Sequence, residues 1–162
     1  MHPWTILQSL VILSLANGAP VIAKRILGRR FEQPVDCGMK LWDGRALFGP
    51  SKTIRGVLLS ILVSAAGAPL VGVPVQMGVV MGAAAMAGDL CSSFVKRRLG
   101  FKPSSRATGL DQVPESLLPL LVARQALALT AADIAVTVLV FFVGEFLLSR
   151  LLYKWHIRDE PY

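Results

Sequence analysis

Acidic residues are scarce in this 162-residue chain: ten Asp and Glu stand against 17 Lys and Arg, with only two histidines and two cysteines. Each shortage excludes something. The histidines sit near the two chain ends, and Cys37 and Cys91 form no C-x-x-C pair, which excludes a zinc site of the usual spacing. No repeat or low-complexity segment appears, and the first apolar stretch lacks the basic start and A-x-A exit of a cleaved signal. Charged residues of both signs make up only 17 %, while hydrophobic ones reach 54 % at a mean hydropathy of +0.58. That is too apolar for a soluble globule of this size and points to a single membrane-embedded domain over residues 1–162.

Long apolar runs are what the chain does have. A span needs about 20 apolar residues. The runs predict an all-α polytopic protein with about five spans, near 4–23, 54–73, 75–90, 115–130 and 133–153. The fourth is short, and "TAAD" separates it from the fifth, with Asp133 expected to cap the last helix. Of the 17 Lys and Arg, eight lie in 24–55, five in 96–106 and three in 150–158; only Arg124 falls elsewhere. Five spans put the basic segments on one face, which the positive-inside rule makes cytoplasmic. The N-terminus is then outside, the C-terminus inside, and two large loops, 24–53 and 91–114, face the cytoplasm. The net charge of +7 thus reports orientation rather than a nucleic-acid partner. Gly78 and Gly82, spaced G-x-x-x-G, predict close helix packing for the third span.

The third run ends in "GDLCSSFVKRRLGFK". If its helix continues past the membrane surface, Asp89, Ser93 and Lys96 share one face at i, i+4 and i+7, with Arg97 at the edge and Arg98 turned away toward lipid headgroups. Bases alone would anchor a span; an acid among them is a functional candidate. An acid can hold a hard cation and the bases can hold phosphate oxygens. Asp111, Gln112 and Glu115 follow just before the fourth run. Asp89 and Asp111, at the two ends of one loop, either form a divalent-metal site for a polyphosphate, or Asp111 is a helix N-cap.

The first loop, "PVDCGMKLWDGRALFGPSKTIRG", is not a Walker A loop, because Pro50 and Ser51 intervene before Lys52 and Thr53. "WDGRA" also lacks the partner aspartates of a CDP-alcohol phosphotransferase motif. What remains is a Gly/Pro-shaped turn running into a helix start, where Lys52 and backbone N–H groups suit an anion, or simply a loop capped by Thr53. Asp36 and Asp43 add acids for a metal or for sugar hydroxyls. Within the spans, Arg124 and Glu145 lie at comparable depths, roughly 13 and 9 Å, and are expected to pair. Asn17 is expected to make a helix–helix hydrogen bond.

In order, "ANGAPV", "DGRALFGPSKTIRG", "GDLCSSFVKRRLG", "LDQ" and the closing "RDEPY" make the chain resemble the CDP-archaeol synthase family of small membrane cytidylyltransferases, over nearly its whole length. Related patterns occur in phosphatidate cytidylyltransferases, but their Gly-rich histidine signature and Asp-Arg-x-Asp element are absent. The resemblance implies transfer of CMP from CTP to a lipid glycerol phosphate with Mg²⁺, forming a CDP-lipid and pyrophosphate. It implies Asp89 and Asp111 as metal ligands and Lys96 as catalytic. Lys52, Thr53, Arg55, Asp43, Asp36, Ser93, Arg97, Gln112 and Asn17 become substrate contacts. The same chemistry on diacyl phosphatidate, a non-catalytic lipid-binding protein, and a homo-oligomer all stay open; a transporter is disfavoured by the bare outer half.

Overall fold

The computed structural model describes residues 1–154 apart from Arg29, Ser104 and Arg106, with side chains through 149; "RDEPY" therefore lies outside the described residues. Five α-helices follow one another: α1 (Pro3–Leu27), α2 (Ile54–Gly67), α3 (Val75–Arg98), α4 (Gln112–Ala123) and α5 (Ala131–Lys154). No strand occurs among the described residues. The helix α1, the helix α2 with the 3₁₀ turn Ala68–Val71 behind it, α3 and α5 are long and apolar enough to cross a membrane. Their outer faces carry leucines and valines such as Leu62, Leu70, Leu139 and Leu147, as a lipid-facing surface requires.

The fourth run departs from expectation. α4 has 12 residues and stops at Ala123. The chain then leaves by a turn that the Leu129 N–H closes onto the Arg124 carbonyl at 2.9 Å, with Ala128 at φ 50°. Burial of Leu129 beside Leu120 and Ile134 holds this turn in place. Thr130, not Asp133, caps α5. Asp133 sits inside the first turn and reciprocates, its carboxylate accepting from the Thr130 N–H at 3.0 Å while its own N–H reaches the Thr130 hydroxyl at 3.2 Å. The same buried carboxylate accepts from the His2 N–H at 2.8 Å, so α1 and α5 start at the same end of the bundle.

Lipid tails are as apolar as leucine, so membrane helices associate by close packing rather than by escape from water. The glycines of α3 allow that packing. A Cβ on Gly78 would lie 2.5 Å from the Ser64 carbonyl oxygen, and one on Gly82 would lie 3.0 Å from the Ser64 Cβ, so both are sites of contact with α2. On the α4 side, a Cβ on Gly88 would fall 2.3 Å from the Pro114 carbonyl oxygen. Buried Ser60 adds a hydrogen bond from α2 to the Ala16 carbonyl of α1 at 2.7 Å. α3 thus lies between α2 and α4, and the Gly88 contact lays the start of α4 against the α3 turn that carries Asp89.

Candidate active site

α3 runs on to Arg98 without a break, nine residues past Asp89, and this continuation places Asp89, Ser93, Lys96 and Arg97 on the wall of one cavity of about 320 Å³. Asp111, just before α4, and Gln112 and Glu115 in its first turn face the same cavity; the first loop supplies Lys52, α1 supplies Asn17 and Lys24, and α5 supplies Glu145. Four bases (Lys24, Lys52, Lys96, Arg97) and four acids (Asp89, Asp111, Glu115, Glu145) therefore face one space.

Two ion pairs organise it. Lys52 Nζ reaches both Asp89 carboxylate oxygens at 2.6 Å, tying the first loop to α3. Lys96 Nζ reaches Asp111 at 2.6 Å and donates to the Ser105 carbonyl at 3.0 Å, tying α3 to the start of α4. Asp111 therefore does not cap α4 with its side chain; its other oxygen accepts from the Ala107 N–H at 2.9 Å. Around these pairs, polar groups are left over. The Ser93 hydroxyl and the Nε and Nη1 of Arg97 are buried without a hydrogen-bond partner among the described residues, although Arg97 Nη2 donates to the Lys102 carbonyl at 2.8 Å. Buried donors in that state are costly unless a ligand completes them. Gly49, at φ 99°, leaves room against the Arg97 side chain: a Cβ there would lie 3.8 Å from the Arg97 Cδ.

Several residues expected at the site have other work. Asp36 is buried, and its carboxylate accepts from the N–H groups of Gly38, Phe48 and Gly49 at 3.0, 2.9 and 2.8 Å. Burial alone would raise its pKa, but these bonds outweigh it and hold the carboxyl below the usual carboxylate value. Asp36 thus organises the turn that leads to Lys52 and is not among the residues that line the cavity. Asp43 is taken by Arg98 at 2.8 Å. Arg98 in turn donates to the Ala46 carbonyl at 2.5 Å and lies over the Phe94 ring, while Arg45 donates back to the Arg97 and Arg98 carbonyls at the end of α3. So Arg98 clasps the loop instead of pointing to headgroups. Arg55, also buried, donates to the Gly28 and Arg30 carbonyls and fixes the exit of α1. Thr53 caps α2, its hydroxyl accepting from the Gly56 N–H at 3.2 Å, just beside Lys52. Asn17 lines the cavity but bonds its own helix, donating to the Leu13 carbonyl at 3.1 Å.

The expected Arg124–Glu145 pair is absent among the described residues: Glu145 lines the cavity with Glu115 at the start of α4, whereas Arg124 is exposed at the other end of that helix. Glu115, Glu145 and Lys24 are the charged cavity residues to which the sequence reading gave no site role, and the only signal for Glu145 was its cost inside a span.

A family model for CDP-archaeol synthase, of CarS-like type, matches residues 71–162. A CDP-archaeol synthase of Sulfurisphaera tokodaii is 30 % identical over 156 residues, covering 91 % of this chain and 89 % of that protein. The chain belongs to the CDP-archaeol synthase family. Another member, from Methanopyrus kandleri, is 38 % identical over 130 residues, and one from Aeropyrum pernix is 41 % identical over 117 residues. These two matches span 60 % and 64 % of the relatives' own lengths. A solved structure described as an intramembrane enzyme for archaeal membrane lipids biosynthesis superposes with a TM-score of 0.68 at 30 % identity, covering 85 % of this chain and 90 % of that one. This family member is accordingly a multi-pass membrane protein.

Proposed function

We propose that the protein transfers CMP from CTP to the phosphate of an archaeol-type glycerol lipid, with the cavity open to the cytoplasm. One observation carries the reading: a bundle with an apolar outer surface gathers Lys52, Lys96, Arg97, Asp89 and Asp111 around a single cavity that also holds orphaned phosphate-type donors. Names and fold of the relatives support the same activity.

Mg²⁺ fits the donor set. No three Asp, Glu, His or Cys among the described residues converge as a metal cage. Mg²⁺ is usually held by one or two carboxylates, with substrate phosphates and water completing its shell. Asp89 and Asp111 would be those carboxylates, and the ion would supply neutralisation of triphosphate charge. With four bases and four acids around it, the cavity would suit joint binding: Lys52 and Lys96 would turn to the triphosphate, and Asp89 and Asp111 would be left to hold the ion.

The lipid phosphate is already an anion, so no general base is required. One of its oxygens attacks the α-phosphorus of CTP, the bond to the β-phosphate's bridging oxygen breaks, and pyrophosphate leaves with that electron pair. Lys52, Lys96 and Arg97 oppose the charge on the phosphates, while Ser93 and Arg97 offer donors already fixed in place. Catalysis is then positioning and preorganised charge. Purified Asp89→Asn and Lys96→Ala should each lose CDP-lipid formation while still inserting and folding in membranes. Near-normal turnover in either removes that residue from the mechanism. Comparing isoprenoid-ether with diacyl glycerol phosphates in the same assay assigns the lipid class, and no product with any lipid phosphate leaves a lipid-binding protein instead.

A further inference from the structure

Trp42 is 89 % exposed and takes no part in the cavity. It stands at the tip of a short hairpin in the first loop. A bridge between Lys40 and Ala46 joins the arms, the Leu41 N–H donates to the Arg45 carbonyl at 3.0 Å, and Gly44, at φ 72°, closes the turn. Such turns are built by glycine and small polar residues, and nothing in this one needs an indole. The hairpin is pinned to the end of α3. Arg98 donates to Asp43 at 2.8 Å and to the Ala46 carbonyl at 2.5 Å, and Arg45 donates back to the Arg97 and Arg98 carbonyls. There α3 stops in a glycine cap. The N–H groups of Gly100, at φ 84°, and Phe101 donate to the Arg97 and Lys96 carbonyls at 3.2 and 3.0 Å. A Cβ on Gly100 would lie 3.5 Å from the Arg45 guanidinium, so hairpin and cap touch. Leu99 and Phe101, on either side of that glycine, are 63 % and 41 % exposed.

Helix length sets the depth of this patch. The 24 residues of α3 span about 36 Å, against a hydrocarbon core of about 30 Å. A helix that enters at one boundary carries its last turn into the headgroup layer at the other, and the hairpin is held at that turn. Charge fits the same level. Lys40, Arg45, Arg98 and Lys102 stand here against a single acid, Asp43, which Arg98 occupies. Aromatic and basic side chains together are what a membrane interface with anionic headgroups selects. We propose that the hairpin tip and the α3 cap form a docking surface for anionic lipid headgroups: Trp42, Leu99 and Phe101 enter the interface, and Lys40 and Lys102 meet lipid phosphates. Depth and charge favour this occupant over a soluble protein partner. Arg98 does not itself reach lipid; it holds the surface in place. The Lys102 carbonyl also accepts from Arg97 at 2.8 Å, so docking steadies the segment that positions a cavity base.

The test needs neither substrate nor turnover, so it stands apart from the cytidylyltransferase reading. Trp4→Phe with Trp155→Phe leaves Trp42 as the one indole of the chain. This protein is placed in vesicles of equal parts phosphatidylcholine and phosphatidylglycerol, with bromine near the glycerol end of the chains of one lipid or of the other. Trp42 emission should be quenched by both and more by the brominated anionic lipid, a selectivity of about fivefold for each lysine engaged. Raised salt should weaken that selectivity. Lys40→Gln with Lys102→Gln should abolish it while Trp42 stays quenched by either lipid. Equal quenching by the two brominated lipids in the protein with both lysines overturns the anionic docking surface, and so does selectivity that survives the double lysine substitution or raised salt. Trp42 quenched by aqueous acrylamide as fully as free tryptophan, with no effect of either brominated lipid, overturns the seating of the hairpin in the interface and leaves the patch to a soluble partner.

Discussion

Gly88→Ala places a methyl group where the start of α4 already is. The added Cβ would lie 2.3 Å from the Pro114 carbonyl oxygen and 2.7 Å from the Glu115 nitrogen, both backbone atoms that no rotamer change can move. Contacts under 3.0 Å are not tolerated, so α3 and α4 must part by roughly 0.7 Å at this turn. Overpacking of this kind costs about 1–3 kcal/mol. Asp111 and Glu115 ride on the displaced element while Asp89 and Lys96 stay with α3, so the 2.6 Å Lys96–Asp111 pair and the cavity between the helices are distorted together. A misplacement approaching 1 Å can lower turnover by about 100-fold. The assay is kcat for CDP-lipid formation in detergent or nanodiscs, beside thermal unfolding of the same sample. Gly78→Ala is the control. Its Cβ meets the Ser64 carbonyl oxygen at 2.5 Å, but on the α2 side and outside the cavity lining. Both variants should lose stability; only Gly88→Ala should lose kcat in the folded fraction by about 10–100-fold. Wild-type kcat and melting temperature in Gly88→Ala would refute the claim that this glycine sets the site.

Asp36→Asn should cost about 1–3 kcal/mol, because an amide oxygen accepts its three N–H bonds less strongly than a carboxylate. Its lowered pKa means that the unfolded chain takes up the proton first. The stabilisation is thus complete above about pH 4 and is lost as pH falls through the folded-state value. Thermal melts of wild type should show that acid-side slope, and Asp36→Asn should lack its share. Arg98→Gln should destabilise by about 1–3 kcal/mol and Asp43→Asn by about 1 or less, since the pair is partly exposed and Arg98 also holds the loop carbonyls. A fully stable but inactive Asp43→Asn would instead return Asp43 to the nucleotide. CTP binding followed by calorimetry should strengthen sharply when Mg²⁺ is present, as a cavity with paired charges requires; equal binding without the metal would contradict the charge-exchange picture.

The helical part of the site is legible in the amino-acid sequence. Asp89, Ser93 and Lys96 share a face because helix periodicity leaves no other arrangement once the helix passes the membrane edge. The loop part is not legible. Spacing cannot tell whether a carboxylate in a Gly/Pro-rich turn points at a ligand or at its own surroundings, and Asp36 and Asp43 both take the second course. Likewise, counting residues along an apolar run does not fix depth. Arg124 and Glu145 are at comparable depths by that count, yet Glu145 lines the cavity with Glu115 at the start of α4, while α4 ends early in a turn that leaves Arg124 exposed at its far end. Glu115 enters through a packing contact at Gly88 that no spacing rule encodes.

The most direct test of the central claim uses CTP labelled in turn at the α- and γ-phosphate, with purified protein, Mg²⁺ and an archaeol-type lipid phosphate. The account predicts that α-label appears in the lipid and γ-label only in pyrophosphate, with Asp89→Asn yielding neither. γ-Label in the lipid, or no transfer of α-label to any lipid phosphate, would contradict it.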